Sequence, residues 1–458
     1  MTTMLQPGKG KKILFANFPA DGHFNPLTGL AVQLAAQGYD VRWYCSEHTA
    51  PKLKKLQLHH YPFKKAIDVS EGNFDEIFPG RQQKKTTLSR LKFDIINAFI
   101  LRAPEYYADI KEIYQSFPFD IMIADCAFTG IPFVRDLMYI PVISIGVFPL
   151  TESSADLPPN GLGIEPSYTF WGKIRQSLLR TVANTFIFRE PNAVLHQLLD
   201  QYNIPHRNEN AFDLLVNKSD FLLQSGTPGF EYKRSDMSSH IRFAGPLLPH
   251  SNCSNSTLWF DERLNRYKNI ILVTQGTVEK NVKKILVPAL EAFKGTDTLV
   301  VATTGGSHTM DLKNRYSRYE NIIIEDFIPF AEVMPYADVY ITNGGYGGVM
   351  LGIQNQLPMV VAGINEGKNE ICARVNYFKI GINLRTETPQ PGQVKEAVEK
   401  ILANTQYSAN VKKLAEEFSM YDSNTICANT VTELLQRRVA VKQKVHYSRQ
   451  AIVRKMVQ

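Results

Sequence analysis

Short apolar runs alternate with longer helix-like stretches, and this pattern recurs along most of the chain. The apolar runs predict buried strands at Lys12–Phe18, Tyr39–Cys45, Ile121–Ala124, Val142–Ile145, Asn269–Thr274, Thr298–Thr303, Asn321–Ile324, Val339–Thr342 and Met359–Ala362. Helices are predicted at Leu27–Gln37, Lys280–Phe293, Ala331–Tyr336, Gly348–Gln354 and Lys368–Phe378. Strands that alternate with helices predict parallel sheets joined by right-handed crossovers.

The alternation occurs in two halves, which are separated by a segment rich in Pro, Ser and Asn at about residues 245–257. We therefore expect an α/β protein with two Rossmann-like, doubly wound parallel-sheet domains, residues 1–250 and 258–425, that face a cleft. Residues 426–458 form a tail that is expected to pack back on the first domain. Ligands of such sheets bind at the carboxyl ends of the strands, so both halves should contribute loops to the cleft.

The composition is that of an ordinary globular protein, with 44% hydrophobic and 21% charged residues. No apolar run is long enough to predict a membrane-spanning helix, and Met1–Lys12 lacks the apolar core of a signal peptide. The five cysteines are scattered and include no CxxC pair, which favours a reducing compartment. A cytoplasmic protein is expected.

The formal net charge of +7 is concentrated at the end of the chain, because residues 437–458 hold seven Lys or Arg and no acid. Such a tail is compatible with a solvated end or with peripheral contact to an anionic membrane surface. Without a nucleic-acid-binding motif elsewhere, the charge does not predict a nucleic-acid partner.

The loop after the first predicted strand contains His23, between Gly22, which permits a tight turn, and Pro26, which suits a first helical turn. A histidine at the carboxyl edge of a sheet is suited to take a proton from a hydroxyl near neutral pH. Asp125 follows a strand that ends at the same edge and is the candidate to orient the ring, with Asp21 as a local alternative. A purely structural histidine remains an open alternative.

Two loops of the second half predict a phosphate site. Gln275, Gly276 and Thr277 lie between a strand and a helix, and so does the glycine-rich run Asn343–Gly348. Glycines let the main chain approach a pyrophosphate, and a helix N-terminus favours its negative charge. A turn needed only for packing is the alternative. Neither loop fits a dinucleotide fingerprint or a P-loop.

Upstream of the glycine-rich run, Phe327 and its neighbour Ile328 end a strand, where the phenyl ring could stack on a nucleobase.

The G-H-x-N-P loop (Gly22, His23, Asn25, Pro26) and the ordered pattern between Phe327 and Val375 resemble those of inverting family-1 glycosyltransferases. These enzymes have the two-domain GT-B fold, and the similarity is greatest to macrolide-type and polyphenol-modifying members. The resemblance implies sugar transfer from a nucleotide diphosphate sugar, with His23 as base and Asp125 as its partner. The donor-binding residues that we expect are Gln275, Gly276, Thr277, Phe327, Ile328, Asn343, Gly344, Gly345, Gly347, Gly348, Lys368 and Asn369.

Three departures from the family pattern concern the donor. Asn343 replaces a histidine that donates to the pyrophosphate, and Leu351 stands where a glutamate grips the ribose hydroxyls. The Asp-Gln pair that binds the sugar falls near Gly367 and Lys368. Loss of the carboxylate makes sense if the 2′-hydroxyl is absent, because unmet polar groups in a site are costly. We therefore expect dTDP-rhamnose as the donor, with UDP-glucose as the alternative.

The acceptor pocket is expected in the first half, where aromatic residues lie outside the strands. Phe93, Phe99, Phe128 and Phe148 are the predicted contacts of a flat, apolar acceptor such as a flavonoid. The segment Val69–Lys85 is predicted to form a mobile loop over this pocket.

No DxD pair on a suitable loop and no ligand cluster is present, so no essential metal or further cofactor is expected. The alternatives left open are an epimerase of the same fold, a membrane-surface enzyme that acts on a lipid-linked acceptor, and a non-catalytic nucleotide-sugar-binding protein. Monomer and homodimer are both left open.

Overall fold

The computed structural model of the protein describes residues 8–70, 74–250, 259–276 and 279–437. These residues form two parallel sheets flanked by helices, which confirms the predicted α/β fold with two Rossmann-like domains.

The first sheet has seven parallel strands in the order β3-β2-β1-β4-β5-β6-β7. Its strands are β1 Lys12–Ala16, β2 Asp40–Cys45, β3 His59–Pro62, β4 Ile121–Asp125, β5 Val142–Gly146, β6 Phe221–Ser225 and β7 Ile241–Gly245. Strand β1 lies between β2 and β4, with Ile13 opposite Val41 on one side and Ile121 on the other. The loops after β1 and β4 therefore leave the sheet side by side.

The second sheet has six parallel strands in the order β10-β9-β8-β11-β12-β13. Its strands are β8 Asn269–Thr274, β9 Thr298–Thr303, β10 Ile322–Glu325, β11 Val339–Thr342, β12 Met359–Val361 and β13 Gly381–Asn383. Strand β11 lies between β8 and β12, so the loops after β8 and β11 are neighbours at one edge.

Helices cover both faces of each sheet. They are α1 Asp21–Ala36, α2 Ala50–Lys55, α3 Phe74–Ile77, α4 Thr87–Asp94, α5 Ala103–Ser116, α6 Ile131–Leu137, α7 Phe170–Val182, α8 Arg189–Gln201, α9 Ala211–Asn217, α10 Leu286–Phe293, α11 Thr309–Tyr316, α12 Phe330–Val333, α13 Tyr346–Gln354, α14 Lys368–Tyr377, α15 Pro391–Ala403, α16 Gln406–Ser419 and α17 at 423–437. None of the helices in the described residues is long and apolar enough to cross a membrane.

The central strands are apolar throughout because both of their faces are buried. In β1, Ile13 and Phe15 join one core cluster, whereas Leu14 joins the cluster on the opposite face. Strand β8 repeats this arrangement, with Leu272 and Val273 on opposite faces.

Two helices begin six residues away from their predicted first residues. Helix α1 begins at Asp21, six residues before the predicted start, so His23 lies in its first turn rather than in a preceding loop. Gly22 has no positive φ, and Pro26 lies inside the helix. Helix α10 begins at Leu286, because residues 282–285 form a turn.

The last described helix returns to the first domain. Cys427, Val431 and Leu435 of α17 are buried in the same core cluster as Phe221 and Ile241. Residues 251–258 of the predicted linker and residues 438–458 of the tail lie outside the described residues.

Candidate active site

The His23 and Asp125 side chains meet at the carboxyl edge of the first sheet. The Nδ1 of His23 lies 2.7 Å from Oδ1 of Asp125, which is the last residue of β4 and fully buried. The other candidate partner, Asp21, instead pairs with Lys52.

The Asp125 carboxylate is fixed by the main chain as well. The backbone N–H of Phe18 donates to Oδ2 at 2.6 Å, and that of Ala127 donates to Oδ1 at 2.8 Å. The Nδ1–H group of His23 is the third donor to this carboxylate, which accepts the hydrogen bond and leaves the proton on the ring. The neutral ring then presents Nε2 as an acceptor, which is the form a general base requires.

Two aromatic rings lie beside the imidazole, and a third stacks on one of them. The ring of Phe18 lies 5.3 Å from that of His23, and Phe148 lies edge-on at 6.0 Å. Phe99 stacks on Phe18 at 4.5 Å, with only 6° between the planes. Phe99 and Phe148 are among the predicted acceptor contacts, whereas Phe18, the last residue of the first predicted strand, is not, although an aromatic residue at a strand end near His23 is a usable signal.

Phe99 reaches this position through an irregular helix. Between α4 and α5 the chain forms a π-helix at Ile95–Phe99 and a 3₁₀ turn at Ile100–Arg102. A π turn inserts an extra residue into a helix and often marks a functional site. It shifts the side chains that follow away from regular α spacing.

The other two predicted acceptor residues lie elsewhere. Phe93 is half-buried and lies beneath Lys84 and beside Phe78. Phe128 is fully buried in the core against Tyr106, with ring centroids 4.7 Å apart. The assignment of Phe128 to the acceptor pocket is therefore wrong, because its ring has no surface to offer a ligand.

The glycine-rich turn of the second domain opens helix α13. Gly344 has a φ of +78°, and a Cβ there would lie 2.3 Å from Sγ of Cys372. By contrast, a Cβ at Gly347, in the first turn of α13, would meet nothing within 4 Å. The turn therefore leaves the free N–H groups of a helix N-terminus beside open space, as a phosphate site requires.

Asn343 joins this turn to the loop after β8. Its amide nitrogen donates to the carbonyl of Gln275 at 2.5 Å, and Gly345 N–H donates to its Oδ1 at 3.3 Å. One amide proton is thereby committed to the neighbouring loop and one is left for a ligand. Gly276 beside it has a φ of +79°, whereas Thr277 lies outside the described residues.

Phe327 and Ile328 differ in accessibility. The side chain of Phe327 is 68% exposed, as a stacking platform must be, whereas that of Ile328 is buried in the core and leaves only its backbone for a ligand. A turn formed by Gly305 and Gly306 lies beside Phe327, with Gly305 N–H donating to Asp326 O at 2.9 Å. This turn is not among the predicted donor-binding loops, although glycines shortly after a strand are the same signal as in the other two loops.

The predicted sugar-binding residues form other contacts. Lys368 pairs with Glu366 at 2.5 Å, and the amide nitrogen of Asn369 donates to Gly161 O of the first domain at 2.7 Å. Leu351 on α13 packs against the core and offers no carboxylate.

Two of the contacts between the domains lie beside the candidate site. The hydroxyl of Tyr346, in the glycine-rich turn, donates to Ser225 O at the end of β6 at 2.7 Å. Burial raises the pKa of Tyr346, so the hydroxyl keeps its proton for this bond. Helix α1, which carries His23, also contacts helix α13. The candidate base and the candidate phosphate turn thus lie on facing helices.

A metal site was not expected from the sequence. Within the part of the chain that the structure describes, no group of three or more His, Cys, Asp or Glu residues is placed to hold a metal ion.

Two parallel-sheet domains, with a His–Asp pair on one and a phosphate-type turn on the other, define a glycosyltransferase of the GT-B class. Comparison with known proteins agrees. Residues 289–434 match the family described as erythromycin biosynthesis protein CIII-like, C-terminal domain.

The relatives extend the match to about nine tenths of the chain. The chain is 30% identical over 415 residues to 4'-demethylrebeccamycin synthase of Lentzea aerocolonigenes, and the alignment covers 90% of this chain and 97% of the relative. It is also 30% identical over 434 residues to UDP-glucosyltransferase 1 of Beauveria bassiana, and that alignment covers 89% of this chain and 91% of the relative. The solved spinosyn rhamnosyltransferase complexed with thymidine diphosphate superposes with a TM-score of 0.62 at 13% identity, over 92% of this chain and 99% of that one.

The chain therefore belongs to the family-1-like glycosyltransferases of GT-B fold, enzymes that transfer a sugar from a nucleotide sugar to an acceptor.

Proposed function

We propose that the protein transfers rhamnose from dTDP-rhamnose, with inversion and without a metal, to a hydroxyl of a small aromatic acceptor such as a flavonoid. The observation that carries the acceptor chemistry is the His23–Asp125 pair, 2.7 Å apart and enclosed by aromatic rings.

The proposed reaction is a single displacement. The Nε2 of His23 takes the proton of the acceptor hydroxyl while the oxygen forms a bond to the anomeric carbon. The bond from that carbon to the diphosphate breaks, and its electron pair leaves with the nucleotide. The N–H groups at the start of α13 stabilise the negative charge that develops on the leaving diphosphate. The aromatic rings of Phe18, Phe99 and Phe148 exclude water and offer faces to a flat acceptor.

The choice of nucleotide rests on Leu351. The apolar side chain of Leu351, on α13, packs against the core of the second domain and cannot hydrogen-bond a ribose 2′-hydroxyl. A thymidine nucleotide lacks that hydroxyl. The names of the similar proteins include both kinds of donor, since one relative is a UDP-glucosyltransferase and one solved structure holds thymidine diphosphate. UDP-glucose is therefore the alternative donor.

The test is turnover measured by mass spectrometry. Purified enzyme and a flavonol would be offered dTDP-rhamnose, dTDP-glucose, UDP-glucose and UDP-GlcNAc separately, with and without EDTA. The proposal expects a deoxyhexose adduct from dTDP-rhamnose, unaffected by EDTA and reduced at least about a hundredfold in His23→Ala. His60→Ala, which alters a histidine outside the site, is the matched control.

Each part can fail separately. Transfer from UDP-glucose alone would disprove the donor assignment and leave the His23 chemistry standing. Full activity of His23→Ala would disprove the base. Loss of activity in EDTA, restored by Mg²⁺, would disprove metal independence. Consumption of donor without an acceptor adduct, with an isomeric nucleotide sugar as product, would favour the epimerase.

The alternative of a membrane-surface enzyme has its own test, because it requires activity on a lipid-linked acceptor rather than on a flavonol. Binding of donor without any turnover would favour the non-catalytic alternative.

A further inference from the structure

Helix α7 has its polarity reversed relative to an ordinary surface helix. Large apolar side chains along α7 and the π-helix that follows it, Ala183–Ile187, point to solvent instead of to the core. Their exposed fractions are 72% for Phe170, 76% for Trp171, 47% for Ile174, 64% for Leu178, 43% for Val182 and 64% for Phe186. We call these six residues the α7 stripe. Contiguous apolar surface of this kind marks an interaction site.

The one fully buried side chain of α7 is polar. Gln176 is 2% exposed; its Oε1 accepts from Ser167 N–H at 2.6 Å and its Nε2 donates to Asp156 O at 2.9 Å. Ser177 and Thr181 are exposed and line an open cavity of about 590 Å³. Folding of the domain therefore does not explain the apolar residues of the α7 stripe.

The charged side chains on α7 and its π-helix have one sign. Residues 170–187 include three basic residues, Lys173, Arg175 and Arg180, and no acid, and Arg189 and the exposed Glu190 follow directly. Arg175 and Arg189 are exposed, whereas Arg180 donates to Leu157 O and Lys173 lies 3.5 Å from Asp156. A two-fold contact between copies of this face would bring these cations together, which is unfavourable. An anionic lipid surface complements them.

We propose that the α7 stripe lies in the interface of an anionic lipid membrane, with α7 parallel to the membrane plane. Aromatic and aliphatic side chains enter the headgroup region and the basic side chains contact the lipid phosphates. Trp171, the most exposed member of the stripe, is of the type enriched at such interfaces. This inference goes beyond the proposed function and does not depend on it.

The orientation has a consequence for the site. The segment before α7 lies against the donor domain, where Gly161 and Gly163 donate to Glu370 at 2.9 and 2.8 Å. Leu162 and Arg175 line a cavity between the domains. A membrane in contact with α7 therefore lies near one mouth of the cleft.

The experiment is sedimentation of the full-length protein with vesicles of phosphatidylcholine, with and without phosphatidylglycerol. The proposal expects binding to the anionic vesicles, reduced at least about tenfold in Phe170→Ser/Trp171→Ser. Met310→Ser/Met420→Ser, which removes side chains that are 67% and 78% exposed elsewhere, should bind like the wild type. Turnover of a soluble acceptor should be unchanged in both variants, which separates this test from that of the proposed function.

The basic tail must be tested in parallel, because its charge alone could attract the protein to anionic lipid. A Lys442→Glu/Lys444→Glu/Arg454→Glu variant should keep most of the binding. If it abolishes binding while Phe170→Ser/Trp171→Ser does not, the proposal is wrong. It is also wrong if the wild type does not bind the anionic vesicles. A dimer in sedimentation velocity that dissociates in Phe170→Ser/Trp171→Ser would then show that the α7 stripe contacts a second copy of the chain. Tryptophan emission should shift to the blue on addition of anionic vesicles, and Trp171→Phe should remove that shift.

Discussion

At the scale of single residues, Asp125 determines which nitrogen of His23 faces the acceptor. Two backbone N–H groups already donate to its carboxylate, so His23 completes a preformed set of donors. The imidazole is thereby held in one tautomer before any substrate arrives. Positioning of this kind is part of the catalytic contribution that the scaffold makes.

We expect Asp125→Asn to lower kcat about a thousandfold while the protein stays folded. An amide nitrogen at the Oδ1 position would donate to Nδ1, and the ring proton would move to Nε2, where it blocks base function. In either orientation the amide NH2 also meets a backbone N–H, that of Ala127 or Phe18, so a lower Tm is expected as well. Steady-state kinetics and a thermal melt check both parts. The Asp21→Asn variant is the control, since Asp21 pairs with Lys52 and should leave kcat within a few-fold. Equal kcat values for Asp125→Asn and the wild type would contradict the assignment.

Two glycines of the same turn should respond differently to alanine. Gly344→Ala forces a left-handed residue and a contact 2.3 Å from Cys372 Sγ, so we expect a loss of stability of roughly 2–3 kcal/mol. Gly347→Ala places a methyl in open space, so we expect unchanged stability but at least about a tenfold higher KM for the nucleotide sugar. Thermal unfolding and donor titration separate the two effects. An unchanged donor KM in Gly347→Ala would show that the phosphate does not approach there.

At the scale of elements, burial on both faces made most of the central strands predictable, although the buried strand β6, Phe221–Ser225, was not predicted. Strand β8 is apolar at consecutive positions because both faces are covered, and its bounds agree with the prediction. Strand β3, His59–Pro62, lies at the sheet edge and is only half-buried, so its sequence is polar and does not predict a strand. The π turn at Ile95–Phe99 was not predicted either, because it depends on packing rather than on composition.

The site was predictable where a residue type and a strand end coincide, as at His23, Asp125 and Gly344. It was not predictable where long-range packing decides. Phe128 and Phe99 are the same residue type in the same region, yet one lies in the core and the other stacks on Phe18, whose ring lies beside His23. Asn369, a predicted sugar contact, donates to the carbonyl oxygen of Gly161, 208 residues earlier in the chain.

Between helices α10 and α11, Glu291 forms an ion pair that should be visible in the pH dependence of stability. Hydrogen bonds from Lys294 first, and then from the Tyr316 hydroxyl and Arg315, lower the pKa of Glu291 from 4.5 to about 2. Because the folded pKa lies below the unfolded one, the carboxylate stabilises the fold above about pH 4.5 and loses this effect as the pH falls towards 2.

Glu291→Gln should therefore lower Tm at pH 7, and the difference from the wild type should shrink between pH 5 and pH 3. Thermal melts across this range, with the exposed Glu396→Gln as control, provide the measurement. A Tm difference that stays constant with pH would mean that the effect of the substitution is steric rather than ionic.

At the scale of the whole molecule, a buried arginine joins the two domains. Arg374 of α14 is 2% exposed, donates to Glu231 of the first domain at 2.6 Å and lies 4.1 Å from the centre of the Tyr232 ring. Its other partner, at 3.2 Å, is Glu370, which holds the Gly161–Gly163 segment. One side chain thus links the helix after the predicted sugar loop to two segments of the opposite domain.

We expect Arg374→Met to destabilise the protein by about 3 kcal/mol, because it leaves the buried Glu231 with only the more distant Arg234, at 3.5 Å. Adding Glu231→Gln should recover part of the loss, and thermal unfolding of the single and double variants measures the coupling. Arg385→Met is the control, since Arg385 is exposed and lies 3.9 Å from Glu165. Strictly additive losses would show that the pair is not coupled.

The return of α17 to the first domain affects the order in which the chain is completed during translation. The first sheet ends at Gly245, but the helix that covers part of its core, 423–437, is made only about 190 residues later. At typical synthesis rates the nascent first domain waits roughly 10–40 s with the docking sites of Cys427, Val431 and Leu435 uncovered. A ribosome that stalls in the second half therefore leaves an incomplete first domain, and its open apolar face is a substrate for chaperones.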